Sequence, residues 1–147
     1  MKLVEEEKRA LREKARILIL DEDQEFVQAS LPALVDRGYE VSLATSCEEG
    51  LSKVPEVLPD LIVIDLVMNK RGEGILFARK LRRNSQFKAF SKIPLLMLSD
   101  IKQQAEFTFP SLTEHPFFLP VDEFLEKPVS PELLWQKVEA LLKAATI

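Results

Sequence analysis

Apolar residues in this chain occur either in unbroken runs or at helical spacing, and the two kinds of segment alternate. Ile17-Leu18-Ile19-Leu20 and Leu61-Ile62-Val63-Ile64 are uninterrupted, and the second is introduced by the turn signal Pro59-Asp60. Such runs predict strands buried on both faces, as in the middle of a parallel sheet. Ile93 to Leu98 predicts another, Tyr39 to Ala44 alternates around Val41 and Leu43, and Phe124-Leu125 marks a short last strand. Between them, Phe26, Val27, Leu31, Leu34 and Val35 recur at helical spacing and end at Gly38, a C-terminal cap; Pro32 inside the pattern predicts a kink. Ser46 to Glu49 has the Ser-x-x-Glu form of a capping box, opening a short helix that Pro55 is expected to close. After a loop with Gly72 and Gly74, a helix carries Ile75, Leu76, Ala78 and Leu81. Ser130 and Pro131 open the last helix, with Leu134, Val138, Leu141, Leu142 and Ala145 on one face. Five alternations of strand and helix predict a doubly wound α/β domain with a five-stranded parallel sheet.

Two stretches escape this pattern. Residues 1–15 are dominated by charge, with Glu5, Arg9 and Glu13 spaced to pair along an exposed helix, and read as an N-terminal helical extension that lies on the domain or contacts another chain. Between Ile101 and Val121, Pro110, Pro116 and Pro120 exclude a long helix, so the fourth helix is expected to be shortened or irregular, with room for one short turn near Lys102 to Phe107.

Composition narrows the chemistry. A length of 147 residues with 46% hydrophobic and 30% charged residues fits one ordinary globular domain. No apolar run approaches a membrane span and the N-terminus is charged, which predicts a cytoplasmic protein with no membrane partner. Cys47 is the only cysteine and His115 the only histidine, which argues against an internal disulfide, a histidine metal site or a Ser-His-Asp triad. Cys47 reads as a small residue in a helix's first turn. A net charge of -4 argues against nucleic acid as a direct partner, and the basic group Arg79, Lys80, Arg82, Arg83 and Lys88 reads as a solvated helix end.

The predicted strands end in chemistry. The first runs into Asp21-Glu22-Asp23, the central one into Asp65, the fourth into Ser99-Asp100, and the last into Glu126-Lys127-Pro128. In open parallel sheets ligands bind at the carboxyl ends of the strands, so parallel neighbours bring Asp21, Glu22, Asp65, Ser99 and Lys127 into one cleft. Clustered carboxylates need a cation among them, and Mg²⁺ takes one or two such groups plus waters. An aspartate so placed can serve as a nucleophile toward a phosphoryl group, while Lys127 and Ser99 suit the oxygens of an acyl phosphate. Asp23 reads as a surface or capping acid.

These motifs, in this order, resemble the receiver domain of two-component response regulators across nearly all of residues 16–145. The resemblance implies a flavodoxin-like (βα)5 fold over 16–147. It makes Asp65 the phosphoacceptor, has Asp21, Glu22, Asp65 and the main-chain carbonyl of Val67 hold Mg²⁺, makes Ser99 the switch hydroxyl, and has Lys127 bind the phosphoryl group. Phe124 matches the aromatic that reports phosphorylation. It also implies a histidine kinase or phosphotransfer protein as donor and a downstream protein as recipient, with homodimerisation open. The chain would be a phosphoacceptor that supports its own phosphorylation and dephosphorylation rather than an enzyme. Several positions depart from the family's pattern: Glu22 stands where aspartate is usual, Asn69 where proline is usual, and the loop after Asp65 is one residue longer.

The sequence ends with the last helix, which favours a stand-alone signalling module. Competing readings are a degenerate receiver-like domain acting as a phosphorylation-independent interaction module, and a small α/β enzyme or flavin-binding protein, which the lack of a glycine-rich loop after the first strand disfavours. In receivers the residues two beyond the phosphoacceptor and the switch hydroxyl, here Val67 and Ile101, flank the path of the hydrolytic water. Both are apolar, which predicts a long-lived phosphorylated state. Phe124, the aromatic stretch from Phe107 to Phe118, and Trp135 form the expected docking surface.

Overall fold

The structure, a computed structural model, describes residues 14–70, 72–100 and 121–145. Five strands, β1 (Arg16–Leu20), β2 (Glu40–Ala44), β3 (Leu61–Asp65), β4 (Leu95–Asp100) and β5 (Glu123–Lys127), form one sheet in the order β2-β1-β3-β4-β5, with every pairing parallel. The predicted parallel sheet is therefore present, with β3 at its centre. Four helices are described: α1 (Gln24–Asp36), α2 (Cys47–Val57), α3 (Glu73–Arg83) and α4 (Pro131–Ala145).

Period-two alternation along the strands sends successive side chains to opposite faces. Leu18, Leu20, Ile62, Ile64, Leu95 and Met97 pack on one side with Val54 of α2 and Phe77 and Leu81 of α3. Ile17, Ile19, Leu61, Val63, Leu96 and Leu98 pack on the other with Val27 and Leu34 of α1 and Leu134 and Val138 of α4. All four apolar residues of the central strand are buried, and burial of each such side chain contributes roughly 1.5–3 kcal/mol. That is why runs apolar on both faces, rather than alternating, marked these strands.

Local signals set most boundaries. Asp23 caps α1 by accepting from the Phe26 N–H at 3.2 Å, and Gly38, at φ 90, follows the helix end as expected. The capping box of α2 forms in both directions, with Glu49 N–H donating to Ser46 Oγ at 3.1 Å and Thr45 N–H to Glu49 Oε1 at 3.2 Å. Ser130 Oγ accepts from the Leu133 N–H at the start of α4.

Other expectations need correction. Pro55 does not close α2; the helix continues to Val57 and ends at Leu58, in the left-handed region. A proline in the last turn lacks one N–H but leaves the final bond, Leu58 N–H to Val54 O, intact. Helix α1 contains Pro32 within its span, as the sequence pattern expected. Strand β4 begins at Leu95 rather than Ile93, and a 3₁₀ segment, Ser85–Phe90, precedes it and buries Phe87 and Phe90. Arg82 is not a solvated member of a basic helix end. Its guanidinium reaches the carbonyls of Ser91 and Ile93 at 2.6 and 2.7 Å and Asp122 at 2.8 Å. The expectations for residues 1–13, and for the short turn and aromatic stretch between 101 and 120, fall outside the described residues.

Candidate functional site

In-register parallel pairing places the strand ends level. Leu20 pairs with Ile64, Asp65 with Leu98, and Asp100 with Lys127, so Asp21, Asp65, Ser99 and Lys127 emerge side by side. The strand order reverses between β1 and β3, and Asp21 and Asp65 flank that crevice. Helix α3 closes down on the end of β3: a Cβ on Gly74 would lie 2.0 Å from the Asp65 carbonyl oxygen. Only glycine permits this approach, which draws the loop after Asp65 tightly over the sheet.

Asp65 is 3% exposed, and its Oδ1 has no hydrogen-bond partner. Burial first, and then the neighbouring charge of Asp21, push its carboxyl up to about 7, against the opposing pull of Lys127 and a hydrogen bond from the Val67 N–H. Asp21 is buried as well, and burial raises it in spite of its bond to Lys127. Lys127 Nζ donates to Asp21 Oδ2 at 2.7 Å and lies 3.8 Å from Asp23 Oδ2. It also sits 4.6 Å from the centre of the Phe26 ring. Ser99 is fully buried, and its Oγ has no partner. Two unpartnered polar atoms on adjacent strand ends are costly in an ordinary core.

Four predicted residues, Asp21, Asp65, Ser99 and Lys127, are thus brought together. Glu22 is exposed, and its charge acts on Asp65, but its Oε1 accepts from the Asn69 N–H at 2.9 Å. Val67 is buried beside Asp65. Phe124 packs, partly buried, against the core on the α2–α3 side, whereas Trp135 packs on the opposite side with the Arg37 guanidinium 3.4 Å from its ring centre. The two aromatics pack against opposite faces of the sheet, on either side of the edge strand β5; the stretch from Phe107 to Phe118 that would join them lies outside the described residues. Cys47 is a buried first residue of α2, as read from sequence, and burial raises its thiol.

Sequence reasoning missed the roles of Asn69 and Glu73. Asn69 adopts φ 61, and its Nδ2 donates to Glu73 Oε2 at 2.7 Å and to Thr45 O at 3.0 Å; Glu73 Oε1 accepts from the Cys47 N–H at 2.9 Å. The signal was an asparagine, the non-glycine residue best suited to that backbone region, inside a glycine-containing loop.

The donors fit a hard divalent cation. Asp21 and Asp65 are buried carboxylates close enough for the charge of Asp21 to raise Asp65, whose Oδ1 is unpartnered, and Glu22 is an exposed acid whose charge also reaches Asp65. Among the described residues no three acidic, histidine or cysteine side chains form a ready cage.

The response regulator receiver domain model matches residues 17–139. The chain belongs to this family, and so is a receiver domain of two-component response regulators. Phosphoaspartate formation with Mg²⁺ is a general feature of such domains. The chain is 31% identical over 132 residues to the alkaline phosphatase synthesis transcriptional regulatory protein PhoP of Bacillus subtilis, covering 90% of this chain and 50% of that one. It is 30% identical to the DNA-binding dual master transcriptional regulator RpaA of Synechocystis, covering 87% and 49%. The chain thus spans about half the length of these relatives. Among solved structures, chemotaxis response regulator CheY4 of Vibrio cholerae superposes with a TM-score of 0.69 at 26% identity, covering 87% of this chain and 98% of that one. A CheY-like receiver domain protein from Methanospirillum hungatei gives 0.69 at 26% identity, covering 89% and 95%. Among the described residues no helix is long and apolar enough to cross a membrane.

Proposed function

We propose that this chain accepts a phosphoryl group on Asp65 from a phosphohistidine, carried by a histidine kinase or a phosphotransfer protein, and that the modified form changes the face it offers to a downstream protein. The observation that carries this reading is the Asp65 carboxylate itself: buried at the end of the central strand, with one oxygen unpartnered, beside the unpartnered Ser99 hydroxyl and the Lys127–Asp21 pair. An Asp65 oxygen forms the new P–O bond as the donor's P–N bond breaks, and the electron pair leaves with the imidazole nitrogen, which takes a proton from solvent. Asp21, Asp65 and the Val67 carbonyl, with Glu22 directly or through water, would hold Mg²⁺, which when bound would offset the repulsion between carboxylate and phosphate.

This chain's residues do the remainder. Lys127 has only to exchange its Asp21 oxygen for a phosphoryl oxygen, and the Ser99 hydroxyl gains the acceptor it lacks. Phe124 lies on β5, paired with Met97 two residues before Ser99 on the neighbouring strand, and is the aromatic through which the modified form would change its partner-binding face. Val67 is apolar and 3% exposed, so it cannot orient a hydrolytic water, which supports a persistent phosphorylated state. In this reading the chain is a phosphoacceptor and not an enzyme acting on a separate substrate, and it works without binding nucleic acid or membrane itself.

Incubation with Mg²⁺ and a small acyl phosphate, followed by intact-mass measurement, tests the proposal. One phosphoryl addition is expected for the wild type and none for Asp65→Asn. Undiminished labelling of the variant overturns the assignment of Asp65. Absence of labelling in the wild type favours the phosphorylation-independent interaction module instead.

A further inference from the structure

Three loops meet beside the site through one chain of hydrogen bonds. Asn69 belongs to the loop between β3 and α3. Its main-chain N–H holds Glu22 Oε1 of the β1–α1 turn at 2.9 Å, and its side-chain amide reaches Thr45 O of the β2–α2 turn at 3.0 Å and Glu73 Oε2 at 2.7 Å. Glu73, the first residue of α3, extends the chain to the Cys47 N–H, the first residue of α2, at 2.9 Å. The bonds from Asn69 Nδ2 and from the Cys47 N–H to Glu73 are charge-assisted, and the second sets a carboxylate at a helix N-terminus, where the helix dipole favours it. Asn69 can donate in three directions because its backbone is in the left-handed region, at φ 61 and ψ 21.

The loop so held carries Val67 and Met68, both buried, directly after Asp65. Resting on the reading of Asp65 as a Mg²⁺-dependent phosphoacceptor, we propose that Asn69 and Glu73 are positioning residues, which latch the β3–α3 loop and the Glu22 carboxylate in the arrangement that receives the cation. Neither touches the reacting atoms. Outer partners that fix a ligand's orientation typically govern metal affinity by 10- to 100-fold. The latch therefore acts on the Mg²⁺ concentration needed and not on the rate at saturation.

Asn69→Gly tests this without changing charge: glycine keeps the N–H to Glu22 and tolerates the left-handed backbone, and removes only the two side-chain bonds. The Cys47 amide should exchange with solvent faster in metal-free buffer, because Glu73 loses its anchor. The Mg²⁺ midpoint, followed by amide chemical shifts, should rise about tenfold or more, while labelling by acyl phosphate at saturating Mg²⁺ stays within about twofold of wild type. The exchange variant Asn69→Asp with Glu73→Gln keeps the summed charge and restores a donor opposite an acceptor between positions 69 and 73, though not the bond to Thr45 O, and should recover part of the midpoint, which mere loss of folding stability in Asn69→Gly would not predict. An unchanged midpoint in Asn69→Gly, or a double variant no better than the single, overturns the latch. A wild type that labels normally beside such variants leaves the phosphoacceptor reading standing; a wild type with no Mg²⁺ response overturns both.

Discussion

The two edges of the sheet treat their polar groups in opposite ways. At the amino edge, among the described residues, Arg16, Glu40, Asp60, Arg82 and Asp122 all have partners. The Arg16 N–H donates to Asp60 at 2.8 Å, while its guanidinium reaches Glu40 at 3.0 Å and Val57 O at 2.8 Å. Across the sheet, Arg82 joins two carbonyls and Asp122, and Asp122 also accepts from the Leu95 N–H at 2.7 Å. At the carboxyl edge two carboxylates lie buried together, one with an unpartnered oxygen, beside an unpartnered hydroxyl. Folding accounts for the first edge, since pairing removes the cost of burying polar groups. It does not account for the second, whose unpartnered Asp65 oxygen and Ser99 hydroxyl are the atoms that a cation and a phosphoryl group would engage under the proposed function. The difference separates scaffold from site without reference to any relative.

The largest expected effect breaks this contrast at the carboxyl edge. The native state holds the Asp65 proton up to about pH 7, whereas the unfolded chain releases it near 3.8. The native state therefore binds more protons in that window, and stability falls as pH rises through it. Roughly three pH units at about 1.4 kcal/mol each set a ceiling of about 4 kcal/mol. In metal-free buffer at pH 8, Asp65→Asn should be about 2–3 kcal/mol more stable than wild type, and the gain should vanish near pH 4. Urea unfolding at the two pH values measures it, and an equal difference at both would show that repulsion and burial of charge are not its source.

At the amino edge the sign reverses. Arg82→Met should cost about 2–3 kcal/mol, because two carbonyls and a carboxylate lose a charged donor, yet leave Asp65 labelling intact at a temperature where the variant is folded. A loss of labelling larger than the loss of folded protein would mean that the two edges are coupled. Smallest of all is Glu40→Gln. Its carboxylate is 55% exposed in the pair with Arg16, so the change should stay below about 0.5 kcal/mol, as read by the same unfolding curves.

Much of the fold was legible because its signals are local. Short runs apolar on both faces, alternating with helical patterns, fit the interior strands of a parallel sheet, and Ser46, Gly38 and Ser130 mark helix ends through bonds to their own neighbours. Parallel topology also made the convergence of Asp21, Asp65, Ser99 and Lys127 predictable, since the carboxyl ends of parallel strands lie together. Sequence by itself determined which side chains reach the site. Only the tertiary structure decided how they are engaged there: Lys127 pairs with Asp21, Glu22 turns to Asn69, Arg82 is withdrawn from solvent, and Trp135 lies under Arg37 on the side of the sheet away from Phe124. Each of these contacts joins residues from separate elements. Its geometry depends on how helices and loops settle over the sheet, which no pattern within a single segment encodes.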